Sequence, residues 1–207
     1  DILARIDTSG YQSDLQSACD ALNGTFQKMA LTLSDSSSWY ESILDSIPFP
    51  ISVTDMDMNW IFINRSTETM LNVSRQDIIG THCSNWGANI CKTNNCGIEL
   101  LRKGISSSVF EQGEGHYRTN VSYIETKEGE KVGHVEIVTD ITDYVKINNY
   151  LRHEVNNTAK NLEKLAVGDL NLEFSVSEAD DSTREVSELF ISINKDLEGA
   201  TRALSRM

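Results

Sequence analysis

Three cysteines lie close together in the middle of this sequence, and a histidine precedes the first of them. They are Cys83, Cys91 and Cys96, with His82 beside Cys83. Thiolate sulfur and imidazole nitrogen are ligands for zinc, haem iron and iron–sulfur clusters, and an accessible thiolate also reacts in redox chemistry. Cys83, Cys91 and Cys96 are therefore candidate metal ligands or redox groups.

The spacing of the cysteines does not identify one chemistry. It matches neither the paired Cys-x-x-Cys of zinc sites nor the usual ferredoxin runs, and the sequence has no Cys-x-x-Cys-His for covalent haem attachment. Free cysteines also pack as small apolar side chains, which is the simpler alternative. The candidate cofactor ligands are Cys83, His82 and His116, and the cofactor stays open between haem, flavin, an iron–sulfur cluster and none.

Composition narrows the class of protein. The chain has 207 residues, a net charge of -13 and 39% hydrophobic residues. An acidic protein of this kind repels nucleic acid and anionic membranes, so no nucleic-acid partner is expected.

No apolar run approaches the roughly 20 residues of a membrane-spanning helix, and the first residues do not resemble a signal peptide. We expect a cytoplasmic location and reduced cysteines. Because the chain starts in mid-pattern at Asp1, we expect a piece of a longer protein, such as the cytoplasmic part of a membrane-anchored receptor.

Two stretches near the ends of the chain carry the same apolar pattern. In both, apolar residues alternate at spacings of four and three, which places them on one seam of a helix, as in coiled coils and four-helix bundles. Each member of the second stretch lies 171 positions after its counterpart. The first seam comprises Leu15, Cys19, Leu22, Phe26, Met29 and Leu33, and the second comprises Val186, Phe190, Ile193, Leu197, Ala200 and Leu204.

A further seam precedes the second of these helices. Its members are Leu151, Val155, Thr158, Leu162 and Leu165. Gly168 then predicts the end of that helix, because glycine readily adopts the left-handed conformation after a helix. Residues 144–206 therefore predict a helix, a polar connector and a second helix. If the two helices are parallel, a homodimer is needed to bury both seams.

Between the two helical ends, the pattern changes to short strands. Pro48 and Pro50 end a helix that includes Trp39–Ile47, and a short helix capped by Ser66 is expected between the second strand and the cysteine segment. The turn Lys127–Glu130 separates the last two strands. The predicted strands are Ile51–Asp55, Trp60–Asn64, Ser107–Gln112, His116–Glu125 and Val132–Asp140. This order predicts an antiparallel α+β domain.

The middle of the chain resembles a PAS domain. The resemblance rests on Ile47–Asp55, then Ile63-Asn64, then Asp77–Gly80, and finally on Val138–Asp143, which is similar to the Asp-Ile-Thr element that closes many such domains. It implies a five-stranded antiparallel core over residues 37–143. PAS domains bind haem, flavin or small molecules, or act only in dimerisation and relay, so a small-molecule ligand is expected without being identified.

The flanking helices resemble HAMP modules, which relay conformational signals between receptor segments. The triplet Gly168-Asp169-Leu170 and the acidic connector carry this resemblance over 145–206. Residues 1–36 are similar to the end of a preceding unit. The resulting domains are 1–36, 37–143 and 144–207, with the long helices forming a parallel dimeric four-helix bundle. This combination is typical of chemotaxis transducers and sensor histidine kinases, and tandem relay modules favour the transducer, with a downstream signalling domain in the same chain.

Two sets of residues have a predicted mechanical role. Asn64 stands where a strand meets a helix and can bond backbone groups there. Asp140, Ile141, Thr142 and Asp143 join the last strand to the next helix, and the side chains of Asp140 and Thr142 are expected to cap that helix from Tyr144 onward. We therefore predict that residues 140–143 form a signalling hinge, called the output hinge below. No catalytic residues are expected, the alternative being a cysteine-based redox or metal-dependent protein.

Overall fold

The structure is a computed structural model that describes residues 13–206, apart from the side chains of residues 13–16 and 19. Residues 1–12 of the predicted segment 1–36, and the side chains of its seam positions Leu15 and Cys19, lie outside the described part of the chain. The chain divides into two units. Within the described residues, the first unit comprises 13–106 and 120–138, and the second comprises 107–119 and 139–206. No helix in the described part of the chain is long and apolar enough to cross a membrane.

A five-stranded sheet runs in the order β2-β1-β5-β4-β3. Strand β1 pairs antiparallel with β2 on one side and with β5, the central strand, on the other. The strands are β1 (Ile51–Thr54), β2 (Trp60–Ile63), β3 (Ser107–Gln112), β4 (Gly115–Glu125) and β5 (Lys131–Asp140). The predicted α+β class and antiparallel sheet are confirmed, with strand ends displaced by one residue at most.

The first unit also contains one long helix and several short ones. They are α1 (Ser13–Ser46), α2 (Arg65–Leu71), α3 (Arg75–Ile78), a 3-10 helix (Cys83–Trp86) and α4 (Gly97–Arg102). No proline interrupts α1 before Pro48, so the helix continues through the predicted boundary between residues 36 and 37. The predicted Ser66 cap of α2 is wrong. Asn64 is the residue in extended conformation before the helix, and its side chain accepts from the N–H of Thr67.

The core of the first unit lies against the sheet. Ile51, Trp60, Ile63, Ile98 and Val121 are almost fully buried. Burial of such side chains contributes about 1.5–3 kcal/mol each to stability. One glycine is required for close strand packing, because a side chain at position 133 would meet the carbonyl oxygen of Thr54 at 2.3 Å.

The second unit contains β3, the first residues of β4, and two further helices. These helices are α5 (Thr142–Ala166) and α6 (Arg184–Leu204). Gly168, with φ of +80°, follows the end of α5 as predicted. The connector 167–183 then returns along α5. Asn161 bonds Glu173, Glu154 bonds Ser177, and Asp143 in the first turn of α5 accepts from Ser182.

The path of the connector makes α5 and α6 parallel. Ser182 lies beside the start of α5, so α6, which begins at Arg184, starts at the same end. Asn194, ten residues further along α6, donates to the carbonyl of Phe174. The buried residues of α5 are polar or aromatic and hold the connector: Tyr150, Glu154 and Asn161. The predicted apolar seam lies beside this row and is largely exposed, with Val155 55% and Leu162 52% accessible.

Candidate functional site: a thiol-lined cavity and the output hinge

A cavity of about 550 Å³ in the first unit is lined by all three cysteines of the central segment. Cys83 begins the 3-10 helix, Cys96 immediately precedes α4, and Cys91 lies in the turns between them. His82 and Met58 also line this cavity. Sequence spacing alone did not predict that these side chains share one space.

Backbone pairing with β2 places the start of the cysteine segment. The N–H of Trp60 donates to the carbonyl of Thr81, the N–H of Gly80 donates to the carbonyl of Trp60, and the N–H of Cys83 donates to the carbonyl of Met58. Residues 87–96 then contain no helix or strand and follow consecutive tight turns. The segment is therefore anchored at β2 and at α4, and its middle is held by local bonds.

The cavity disfavours free thiolates. Burial raises the pKa of Cys83 to about 12, and the nearby Glu136 acts in the same direction. Burial also raises the pKa of Cys91, although the backbone N–H groups of Ala88 and Gly87 act on its sulfur in the opposite sense. At neutral pH Cys83 is protonated, and a protonated thiol is a poor nucleophile and a slow target of oxidants. The geometry thus argues against Cys83 as a freely reactive redox thiol.

Strand β5 carries two residues with shifted pKa values, Glu136 and His134, and the sequence reasoning missed Glu136. Glu136 is half-buried, and this burial raises the pKa of its carboxyl to about 7. His134 is 1% exposed, and its burial lowers its pKa. Its Nδ1 lies 3.2 Å from the hydroxyl of Thr54, and its Nε2 is buried without a hydrogen-bond partner. A charged residue inside the predicted strand Val132–Asp140 was the signal available for Glu136.

The predicted histidine ligands have other contacts. Nδ1 of His82 accepts from the N–H of Ser84 at 3.1 Å, so the proton of the neutral ring is on Nε2 and this nitrogen is a donor. His116 belongs to the second unit, where its Nδ1 lies 3.4 Å from Glu111. Across residues 13–206, no three His, Cys, Asp or Glu side chains converge closely enough to hold a single metal ion.

Asn64 joins three elements of the first unit. Its side-chain oxygen accepts from the N–H of Ile51 at 2.9 Å and from the N–H and hydroxyl of Thr67. Its side-chain nitrogen donates to carbonyls at the end of α1 and just after it, those of Leu44, Ile47 and Phe49. Asn64 is fully buried. The side chain therefore links the end of α1 to the start of β1 and to the start of α2.

The output hinge is held by hydrogen bonds from all four predicted residues. The hydroxyl of Thr142 donates to the carboxylate of Asp140 at 2.5 Å and accepts from the N–H of His116 at 2.9 Å. The N–H of Ile141 donates to the carbonyl of His116 at 2.8 Å, and Asp143 accepts from Ser182. The predicted capping of Tyr144 is wrong in position. Helix α5 already begins at Thr142, whose N–H donates to Asp140 at 2.8 Å.

Comparison with known proteins gives similarity at the level of the fold. No curated protein matches the sequence. Among solved structures, a sensory box sensor histidine kinase from Vibrio cholerae is 16% identical, with a TM-score of 0.40, covering 55% of this chain and 98% of its own. The PAS domain of an HTR-like protein from Haloarcula marismortui is 15% identical, with a TM-score of 0.41, and the match covers 56% of this chain and 99% of that domain. The PAS domain of BvgS from Bordetella pertussis is 14% identical, with a TM-score of 0.42, and the match covers 60% of this chain and 98% of that domain.

The family comparison identifies part of the first unit. Residues 39–85 match the family model described as the PAS fold. The matched range includes the end of α1, β1, β2 and the first cysteine of the cavity. It also contains Asn64 and the first three motifs of the resemblance, whereas the closing motif Val138–Asp143 lies outside it. The PAS resemblance is therefore confirmed over residues 39–85.

Proposed function

We propose that this chain is the sensing and relay section of a homodimeric receptor, most similar in organisation to a chemotaxis transducer. The PAS domain binds a small ligand or cofactor in the thiol-lined cavity. The output hinge passes the change to α5 and α6, which act as a HAMP-type relay toward a downstream signalling domain. In this proposal the chain is cytoplasmic and has no catalytic centre of its own.

The hydrogen bonds of the output hinge are the observation that carries this proposal. β5 passes into α5 without a loop, and the hydroxyl of Thr142 bonds both the end of β5 and the start of β4 through Asp140 and His116. A displacement of either strand therefore changes the bonds at the first residue of α5. Such a change needs to bias two arrangements of the helices by only a few kcal/mol.

The helix pair supports the homodimer. Parallel helices with their polar residues turned to the connector leave the apolar seam for another surface, and a second copy supplies two matching helices. In α1 the residues Leu22, Phe26, Met29 and Leu33 are likewise exposed and follow the same phase. A symmetric dimer would cover both seams at once.

The hinge is tested with Thr142→Val in the intact receptor. Valine keeps the shape of threonine but loses the bonds to Asp140 and His116. We expect the stimulus-dependent output to fall at least fivefold, and the N–H of His116 to exchange with solvent faster because it loses its acceptor. Thr142→Ser keeps the hydroxyl and should retain the output. Normal signalling by Thr142→Val would contradict the proposed route.

The dimer is tested by light scattering on size-exclusion chromatography. Val155→Glu puts a charge on the seam and should shift the protein from dimer to monomer by at least tenfold in dissociation constant, because the charge would be buried without a partner. Val167→Glu is the matched control, since Val167 is 83% exposed and lies after the end of α5. A wild-type chain that is monomeric at all accessible concentrations would refute the dimer.

A further inference from the structure

The first observation is the convergence of sulfur donors on one cavity. Every described cysteine lines it: Cys83, Cys91 and Cys96. Its volume of about 550 Å³ is far larger than a single metal ion requires. Lys92 and Glu99 line the same space with charges of opposite sign. The cavity therefore combines three soft ligands with enough room for a group of several atoms.

The second observation concerns the loop that carries the cysteines. Residues 87–96 have no helix or strand and no fully buried side chain. The turns are closed by local bonds, such as Cys91 N–H to Ala88 and Cys96 N–H to Thr93. Ligation of a metal centre would cross-link such a loop and contribute the stability that apolar burial does not supply.

A cluster fits these residues better than a single ion. A zinc ion holds its sulfur ligands at about 2.3 Å, so three thiols would have to converge on one point. Among the described residues no such group exists. The cysteines of an iron–sulfur cluster bind different iron atoms and therefore lie further apart, around a centre with volume of its own. His82 is not used as a ligand, since its Nδ1 accepts from the N–H of Ser84 and the proton of the neutral ring is on Nε2.

We propose that Cys83, Cys91 and Cys96 bind an iron–sulfur cluster in this cavity through three thiolates. The fourth position of the cluster is then available to a ligand other than cysteine. This inference deepens the proposed sensing role and rests on it for its meaning in signalling. Its test measures bound iron and sulfide, so a negative result would leave the hinge and dimer experiments unaffected.

The test is purification of the whole chain without oxygen, followed by anaerobic reconstitution of the metal-free protein with Fe²⁺ and sulfide. We expect broad visible absorbance and about two to four iron atoms per chain with matching sulfide. The triple variant Cys83→Ser, Cys91→Ser, Cys96→Ser should lose at least nine-tenths of the bound iron. Cys19→Ser is the matched control, since Cys19 is the fourth cysteine of the chain and lies outside the segment.

The possible results separate the alternatives. Iron and sulfide that remain in the triple variant, or are lost in Cys19→Ser, would overturn the assignment of ligands. A wild-type chain that stays free of iron and sulfide after reconstitution would refute the cluster, as would stoichiometric zinc without iron. The fluorescence of Trp60 and Trp86 checks that the triple variant is folded, and three single Cys→Ser variants replace it if it is not.

Discussion

Asn64 is the residue at which we expect the removal of a few atoms to destabilise the first unit most. Its amide group makes six hydrogen bonds, three as acceptor and three as donor, and it is fully buried. Asn64→Ala removes all of them without adding bulk. The N–H groups of Ile51 and Thr67 then lose the side-chain oxygen that accepts from them.

The magnitude follows from these two donors. A buried N–H left without a partner costs about 1–3 kcal/mol, so the two together cost about 4 kcal/mol. The three carbonyls near the end of α1 lose a donor as well, but a carbonyl without its partner is better tolerated. Since small domains are stable by about 5–15 kcal/mol, the variant should lose a large part of the stability of the first unit.

Urea denaturation followed by tryptophan fluorescence measures this loss of unfolding free energy in the first unit. The three tryptophans of the chain, Trp39, Trp60 and Trp86, all belong to the first unit. Asn120→Ala on the exposed face of β4 is the control and should change the unfolding free energy by less than about 0.5 kcal/mol. A loss below about 1 kcal/mol for Asn64→Ala would refute the reasoning, because it would mean that water or a rearranged backbone replaces the lost bonds.

Two further predictions concern the connector and the buried histidine. Asn161→Ala removes both bonds to the backbone of Glu173, so we expect hydrogen exchange in the connector to accelerate at least tenfold by mass spectrometry, whereas Asn156→Ala on the exposed face of α5 should not change it. The lowered pKa of His134 means that below pH 6.5 the unfolded chain binds a proton that the folded chain does not. Stability should therefore fall with decreasing pH by up to about 1.4 kcal/mol per unit more in the wild type than in His134→Asn, and His153→Asn should behave as the wild type.

The sheet and the helix pair were predictable because their signals are local. Alternation over Ile51–Thr54 and the seam of α5 are each contained within one element. The glycine stop at Gly168 also acts through its own backbone. The cap of α2 was predicted wrongly because serine and asparagine are both good caps, and only the pairing of β2 with β1 shows which of them is extended.

The cavity was not predictable, since it depends on pairing between distant segments. The bonds between Met58 and Cys83 and between Trp60 and Thr81 turn the cysteine segment across the start of β2. No period or propensity in residues 87–96 encodes where the turns direct Cys91. The effect of burial on Glu136 likewise depends on residues far away in the sequence, because alternation alone gives two faces and does not say which one is enclosed.

The two helices that flank the PAS segment meet it through the same physical device. At the end of α1, one buried amide, that of Asn64, bonds helix carbonyls and strand N–H groups together. At the start of α5, the hydroxyl of Thr142 bonds two strand ends and the helix together. Asn64 bonds carbonyls that the end of α1 leaves unpaired, and Asp140 accepts from the N–H of Thr142 at the start of α5. Separating either helix from the strand beside it would leave polar groups without partners. The proposed relay therefore needs no special residue beyond those that already terminate its helices.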